Sequence, residues 1–138
     1  MTDDRGRATW VLHDHRVPQP HFDLRLEQDG VLRSWAVPKG LPTSPGQNRL
    51  AIAVGDHALD HLGYTDETKV IADTGWWEED SRDERRFVFV LHGREHDRRY
   101  ALIQTEGDGF AARGRSAWLL HLSKDQPSTP NDPLVAPE

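Results

Sequence analysis

Apolar and polar residues alternate strictly from His21 to Glu27. Phe22, Leu24 and Leu26 fall on one side of an extended chain, and His21, Asp23, Arg25 and Glu27 fall on the other. The pattern predicts a half-buried strand with an apolar face in a core and a polar face turned outward. Asp29-Gly30 follows, a dipeptide suited to the two-residue type I′ turn, and Val31–Val37 carries a second apolar-patterned run. A hairpin is therefore predicted with Gln28 opposite Val31, so that partner numbers sum to 59, as 28 and 31 do. Asp23 then faces Ala36 and Arg25 faces Ser34, small side chains that leave room above the polar row. Leu24 faces Trp35 and Phe22 faces Val37 in the core.

Short runs of the same kind predict strands at Thr9–His13, Arg49–Val54, Lys69–Ala72, Phe87–Leu91, Tyr100–Thr105 and Trp118–Leu122. Turn residues separate them, among them Pro38-Lys39-Gly40, 43–46 and 107–109. Residues 56–61 read as one helical turn, and 80–86 as a solvated run of charge. This spacing predicts an all-β protein, a compact closed or partly open β-barrel in a single domain over residues 1–125. Residues 126–138, rich in proline and poor in apolar bulk, read as a disordered tail.

Composition narrows the function classes. A chain of 138 residues is large enough for one core, and no apolar run is long enough to span a membrane. The absence of cysteine restricts any metal to nitrogen and oxygen ligands, and with no secretory signal visible the expected location is the cytoplasm. The formal charge of −6 argues against a protein that coats nucleic acid nonspecifically, but it is unevenly placed. Residues 1–50 hold 7 Lys/Arg and 6 Asp/Glu, against 10 and 17 in residues 51–138. A divalent ion on the near-neutral first part would make its polar face locally positive, enough for an enzyme that binds a polyanion by its end.

The polar row carries the candidate chemistry. His15, His21 and Asp23 offer two imidazoles and a carboxylate to a divalent transition metal, and Arg25, further along the face, offers a fork for an oxyanion. Together they point to metal-assisted work on a phosphate. His13 shares the face of His15 and is expected to be exposed. His57 and His61 are four apart and are expected to join this centre rather than to form a separate zinc site. Trp35, Trp76, Trp77 and Trp118 are expected in the core or at the barrel rim. His21, Asp23 and a distant His57 would also suit a facial-triad iron oxygenase, but such an enzyme has no use for a ligand at position 15.

The segment His21-Phe-Asp-Leu-Arg-Leu-Glu-Gln-Asp-Gly-Val-Leu-Arg-Ser-Trp-Ala-Val-Pro-Lys-Gly40, preceded by His15, closely resembles the 3′-phosphoesterase domain found at the N-terminus of bacterial DNA ligase D and as free-standing proteins. Matches continue through Arg49-Leu50-Ala51, 56–60, 73–78, 100–103 and 118–120, so the resemblance spans roughly residues 9–125. It implies a compact β-barrel that uses Mn²⁺ to remove a 3′-phosphate, and in many members a 3′-ribonucleoside, from a primer strand before ligation in DNA repair. By position it implies that His15, His21 and Asp23 are the metal ligands and that Arg25 and His57 contact the phosphate and act in catalysis. Lys39 and Arg49 match basic positions that support the substrate phosphate.

The family usually carries Glu two residues before His57 and Tyr four residues after it, where this chain has Gly55 and His61. His61 is thus expected to replace the phenol as a catalytic donor to the phosphate, with activity following its protonation. The Gly/Glu-rich loop that normally follows is reduced to 63–68, and about eight residues stand where longer members carry a polar arm that assists the ribonuclease step. Both features imply a 3′-phosphatase rather than a ribonucleoside-removing enzyme. The implied partners are nucleic acid 3′ ends in a primer–template duplex and a separate DNA ligase or end-joining factor, with no membrane and a monomeric chain. The alternative is a non-catalytic module that grips 3′-phosphate ends or a repair partner.

Overall fold

A computed structural model describes residue 3, residues 5–105 and residues 116–127. Among the described residues eight strands are formed: β1 (Thr9–His15), β2 (His21–Gln28), β3 (Val31–Val37), β4 (Asn48–His57), β5 (Lys69–Arg82), β6 (Arg86–His92), β7 (Asp97–Gln104) and β8 (Ala117–Leu122). Asp29 and Gly30 adopt φ angles of 53° and 85°, the two positive values that a type I′ turn demands. They hold β2 against β3 in the expected register, with Gln28 opposite Val31, Arg25 opposite Ser34 and Asp23 opposite Ala36.

The strands close into an antiparallel barrel in the order β1-β2-β3-β4-β8-β7-β6-β5. It is built from two four-stranded meanders, with β5 paired to β1 and β8 paired to β4. The interior of an eight-stranded barrel is just wide enough to be filled by side chains. Trp10, Leu24, Leu26, Trp35, Phe89, Leu102 and Leu120 fill it, all nearly or wholly buried. Trp77 and Trp118 join the same core. Each large apolar side chain removed from water stabilises the barrel by about 1.5–3 kcal/mol. At Gly75 the backbones approach closely: a Cβ there would lie 1.8 Å from the carbonyl oxygen of His92. The same oxygen accepts a hydrogen bond from the Trp10 indole at 3.1 Å.

The topology dictates one feature outside the barrel. Because β5 lies beside β1 and not beside β4, residues 58–68 must cross to the other meander. They do so as a 3₁₀ turn, Leu59–Gly63, packed against β3 and β1. Asp23, Arg25 and Glu27 on the polar face of β2 are consequently only 5%, 2% and 8% exposed, where the alternation predicted an open face. Glu27, at the far end of the row, accepts hydrogen bonds from the backbone N–H and hydroxyl of Thr9.

Several boundaries differ from the sequence reading. β4 runs on to His57, so Asp56 and His57 are strand residues and the helical turn begins only at Leu59. β5 extends to Arg82 through a bulge between Glu79 and Ser81, which turns the first part of the charged run at 80–86 into strand. The turn expected at 107–109 lies outside the described residues, as does the expected tail apart from Gln126 and Pro127. The Gln126 side chain donates to the Arg99 carbonyl and accepts from its N–H. Among the described residues no helix is long and apolar enough to cross a membrane.

Candidate active site

β1 ends and β2 begins at the same rim of the barrel, which places His15 directly opposite His21 and His13 opposite Asp23. Three ligand atoms, one each from His15, His21 and Asp23, lie within 4.8 Å of one another. One carboxylate oxygen of Asp23 is 3.3 Å from His15 Nδ1, and the other is 3.2 Å from His21 Nε2. The Gln19 carbonyl can only accept, so its 2.8 Å contact with His21 Nδ1 puts a ring proton there, and in the neutral ring, the form that binds metal, Nε2 keeps a lone pair aimed at the carboxylate. Two acceptors at 3.2 Å need a positive charge between them. Bonds of about 2.0–2.2 Å from a divalent ion to nitrogen and oxygen place neighbouring ligands ~3.0–3.5 Å apart, so this donor set fits a metal. His15, His21 and Asp23 are the residues able to hold it.

Arg25 organises the next stretch of the row. Its Nη1 donates to the Ser34 hydroxyl and to His57 Nδ1, each at 2.9 Å, while Nη2 lies 3.3 Å from Asp23 Oδ2. The room expected above Ser34 is therefore occupied by the guanidinium and its bond to His57. Because arginine is only a donor, His57 accepts at Nδ1, and the proton of its neutral ring resides on Nε2. Burial, seconded by the charge of Arg25, holds His57 below the usual histidine range. Nε of Arg25 is buried without a partner among the described residues.

The crossover brings in a second group of side chains. His61 lies 4.7 Å from His57, ring centre to ring centre, and stacks on Tyr64 at 4.9 Å. Its Nε2 meets the ammonium of Lys69 at 3.1 Å, so Nε2 accepts and the ring proton resides on Nδ1. Burial first, then the charges of Arg25 and Lys69, push the His61 pKa down to about 4. This lies below the ordinary histidine range in which the sequence reading expects His61 to titrate, and leaves it a neutral imidazole at neutral pH. His13 also differs from expectation. It is fully buried, donates from Nε2 to the Tyr64 carbonyl at 2.8 Å and packs 5.4 Å from His61, because the crossover covers the face it occupies.

His15, His21, Asp23, Arg25, His57 and His61 thus lie along one continuous set of contacts, with His57 and His61 held by Arg25 and Lys69. Lys39 and Arg49 stand apart from it. Lys39 is exposed in the turn after β3, and Arg49 sits near the start of β4 opposite Leu120. Antiparallel pairing puts both at the rim where β2 begins, but among the described residues neither bonds to the cluster. Sequence reasoning missed Lys69, Tyr64 and the bonding role of Ser34. Lys69 reaches the site only because β5 pairs with β1, which sets it opposite His15, and no local pattern announces that.

The family model for the DNA ligase D 3′-phosphoesterase domain matches residues 13–104. The multifunctional non-homologous end joining protein LigD of Mycolicibacterium smegmatis is 38% identical over 154 residues, covering 94% of this chain and 19% of that protein. The multifunctional non-homologous end joining DNA repair protein LigD of Mycobacterium tuberculosis H37Rv is 38% identical over 135 residues, with 86% of this chain and 16% of the relative covered. For the LigD protein of Pseudomonas aeruginosa PAO1 the values are 33% over 138 residues, 89% and 16%. The chain spans less than a fifth of the length of these relatives.

Proposed function

The chain belongs to the DNA ligase D 3′-phosphoesterase domain family, and from that premise we propose that it is an Mn²⁺-dependent phosphoesterase that removes a 3′-phosphate from a DNA or RNA primer strand during end repair. The observation that carries this reading is the set of three ligand atoms within 4.8 Å of one another, set beside the Arg25–His57 pair. When bound by His15, His21 and Asp23, a divalent ion supplies Lewis-acid polarisation of a phosphoryl oxygen.

The chain's own groups account for the rest of the reaction. Water adds to phosphorus, the bond from phosphorus to the 3′ oxygen breaks, and the products are a 3′-hydroxyl end and inorganic phosphate. His57, neutral and with its proton on Nε2, is the group suited to donate to the departing 3′ oxygen. Arg25 fixes that proton's position by occupying Nδ1, holds the Asp23 carboxylate through Nη2, and lends a buried positive charge where negative charge develops. His61 offers Nδ1–H as a neutral donor to a non-bridging oxygen, in place of the phenol that the family pattern carries. Lys39 and Arg49, on the same rim, are assigned to the phosphates of the strand leading into the site. A DNA ligase or end-joining factor would then use the 3′-hydroxyl product.

The test is a gapped primer–template duplex ending in a 3′-phosphate, alongside one ending in a single 3′-ribonucleoside. Release of inorganic phosphate from the first, with a primer that a ligase can then seal, supports the proposal. Binding of the 3′-phosphate end with no turnover in Mn²⁺ refutes it in favour of a gripping module, and nucleoside release without phosphate release refutes the choice of substrate.

A further inference from the structure

Lys69 is 8% exposed, and among the described residues no carboxylate lies within ion-pair distance of its ammonium. Its direct contacts are neutral, Nε2 of His61 at 3.1 Å and the face of the Tyr64 ring at 5.5 Å, and the carboxylates of Asp23 and Asp66 act on it only through space. A cation taken out of water is strongly unfavourable unless an opposite charge accompanies it, and buried lysines are accordingly found paired. Arg25, 2% exposed, is the neighbouring buried cation, and the carboxylate that faces it, Asp23, also faces both His15 and His21. The cluster thus holds two buried permanent cations against one buried carboxylate, before any metal is counted, with the exposed Asp66 acting on Lys69 only from outside it. A divalent ion on the triad widens that excess. An anion of more than one charge is what this arrangement lacks.

Position supports the same conclusion. Lys69 opens β5 directly opposite His15, the last residue of β1, so its stem starts one strand away from the metal triad. Its ammonium ends at His61, whose ring adjoins His57. An ammonium carries three N–H bonds, and the contact with His61 engages one. The other two are directed away from that bond, with no carboxylate among the described residues to receive them.

We propose that Lys69 is a direct contact of the substrate's terminal phosphate and, with Arg25, selects a dianionic phosphate monoester over an end that carries a hydroxyl or a singly charged diester. This rests on the reading of the site as a 3′-phosphate-processing centre. The lysine also places a cationic charge beside His61, the residue at the phenol position. Such a residue is held at the expense of stability, as strained functional groups commonly are.

The test compares wild type with Lys69→Met, which keeps the stem and removes the charge, and Lys69→Arg, which keeps the charge. Two probes are used: inorganic phosphate, read as the rise in unfolding midpoint of the Mn²⁺-loaded protein, and oligonucleotides ending in 3′-phosphate or 3′-hydroxyl, read by fluorescence anisotropy and, for the former, by turnover. The expected result for Lys69→Met is an unfolding midpoint at or above wild type without ligand, at least tenfold weaker half-saturation by inorganic phosphate, and at least a tenfold loss in the preference for the 3′-phosphorylated end, carried in KM. Lys69→Arg should recover most of that preference.

If Lys69→Met instead melts several degrees lower and keeps the wild-type phosphate response, the lysine is a structural prop for His61 and Tyr64, and the inference falls while turnover leaves the proposed function intact. If wild type turns nothing over but its phosphate response is lost in Lys69→Met, the inference stands and the proposed reaction falls. A wild type whose unfolding midpoint is indifferent to phosphate overturns the inference, and the proposed function falls with it only if the 3′-phosphorylated oligonucleotide is not turned over either.

Discussion

Acidification from pH 7 to pH 5 should destabilise this protein by about 2 kcal/mol through His61 alone. Burial, then the charges of Arg25 and Lys69, with His57 and His13 adding to them, push its pKa from 6.5 to about 4. Between those two values the unfolded chain takes up a proton that the folded protein refuses, so unfolding gains as the pH falls. The stability is present in full only well above pH 6.5, erodes as the pH falls through that value and is lost at about pH 4. Integrating proton uptake over that window gives about 0.2 kcal/mol already lost at pH 7 and about 2 kcal/mol at pH 5. His61→Gln keeps a polar side chain but cannot titrate, so its stability should fall less over the same interval by that difference. His57 and His13, whose pKa values are lowered as well, are present in both proteins, so the comparison reads His61 together with its coupling to them. Urea unfolding of the metal-free proteins at the two pH values measures the difference, and the imidazole resonances of His61 followed by NMR locate the titration itself. Parallel loss of stability in wild type and His61→Gln, or a His61 resonance that titrates near 6.5, would refute the reasoning. The consequence for function is that His61 acts as a neutral donor, so His61→Tyr should leave the shape of the pH–activity profile unchanged when metal is saturating.

Arg25→Lys should reduce kcat/KM by ~10²–10³, nearly as far as Arg25→Ala. A lysine cannot bond Ser34, His57 and Asp23 together, and one or two lost charge-assisted bonds amount to about 1.5–3 kcal/mol each. Activity within fivefold of wild type would show that Arg25 serves only as a remote charge. Gly75→Ala should destabilise the barrel by ~3 kcal/mol or more in urea unfolding, because a methyl 1.8 Å from the His92 carbonyl must pry β5 from β6 and break the Trp10 indole bond. A loss below about 1 kcal/mol would mean that the strands separate easily there.

The β2–β3 hairpin was legible to the residue because its information is local: an Asp-Gly turn sets the register and strict alternation assigns the faces, as Gln28 opposite Val31 and Arg25 opposite Ser34 bear out. All eight strands left some apolar trace, and the all-β barrel followed from their spacing. β5 was cut short in the reading because Gly75 and the run from Glu78 to Arg82 look like loop, whereas in the barrel Gly75 is held by pairing with β1 and the run from Glu78 to Arg82 by pairing with β6. The metal candidates His15, His21 and Asp23 share a face by simple alternation, and the closeness of His15 to His21 comes from β1 pairing with β2. What stayed hidden depends on the path of the crossover. Nothing near His13 or Lys69 tells that residues 58–68 will fold over β1 and β3, bury the first histidine and bring the lysine to His61.

The central claim is that His15, His21 and Asp23 hold the ion that the chemistry requires. Its most direct measurement is inorganic phosphate released from a 3′-phosphorylated primer–template by the metal-stripped protein as Mn²⁺ is titrated in, with wild type and Asp23→Ala side by side. Wild type should be silent without metal and should saturate as Mn²⁺ is added, while Asp23→Ala, folded by circular dichroism, releases no phosphate at any concentration that saturates wild type. Phosphate release by wild type in the continued presence of excess chelator, or full activity in Asp23→Ala, would contradict the account.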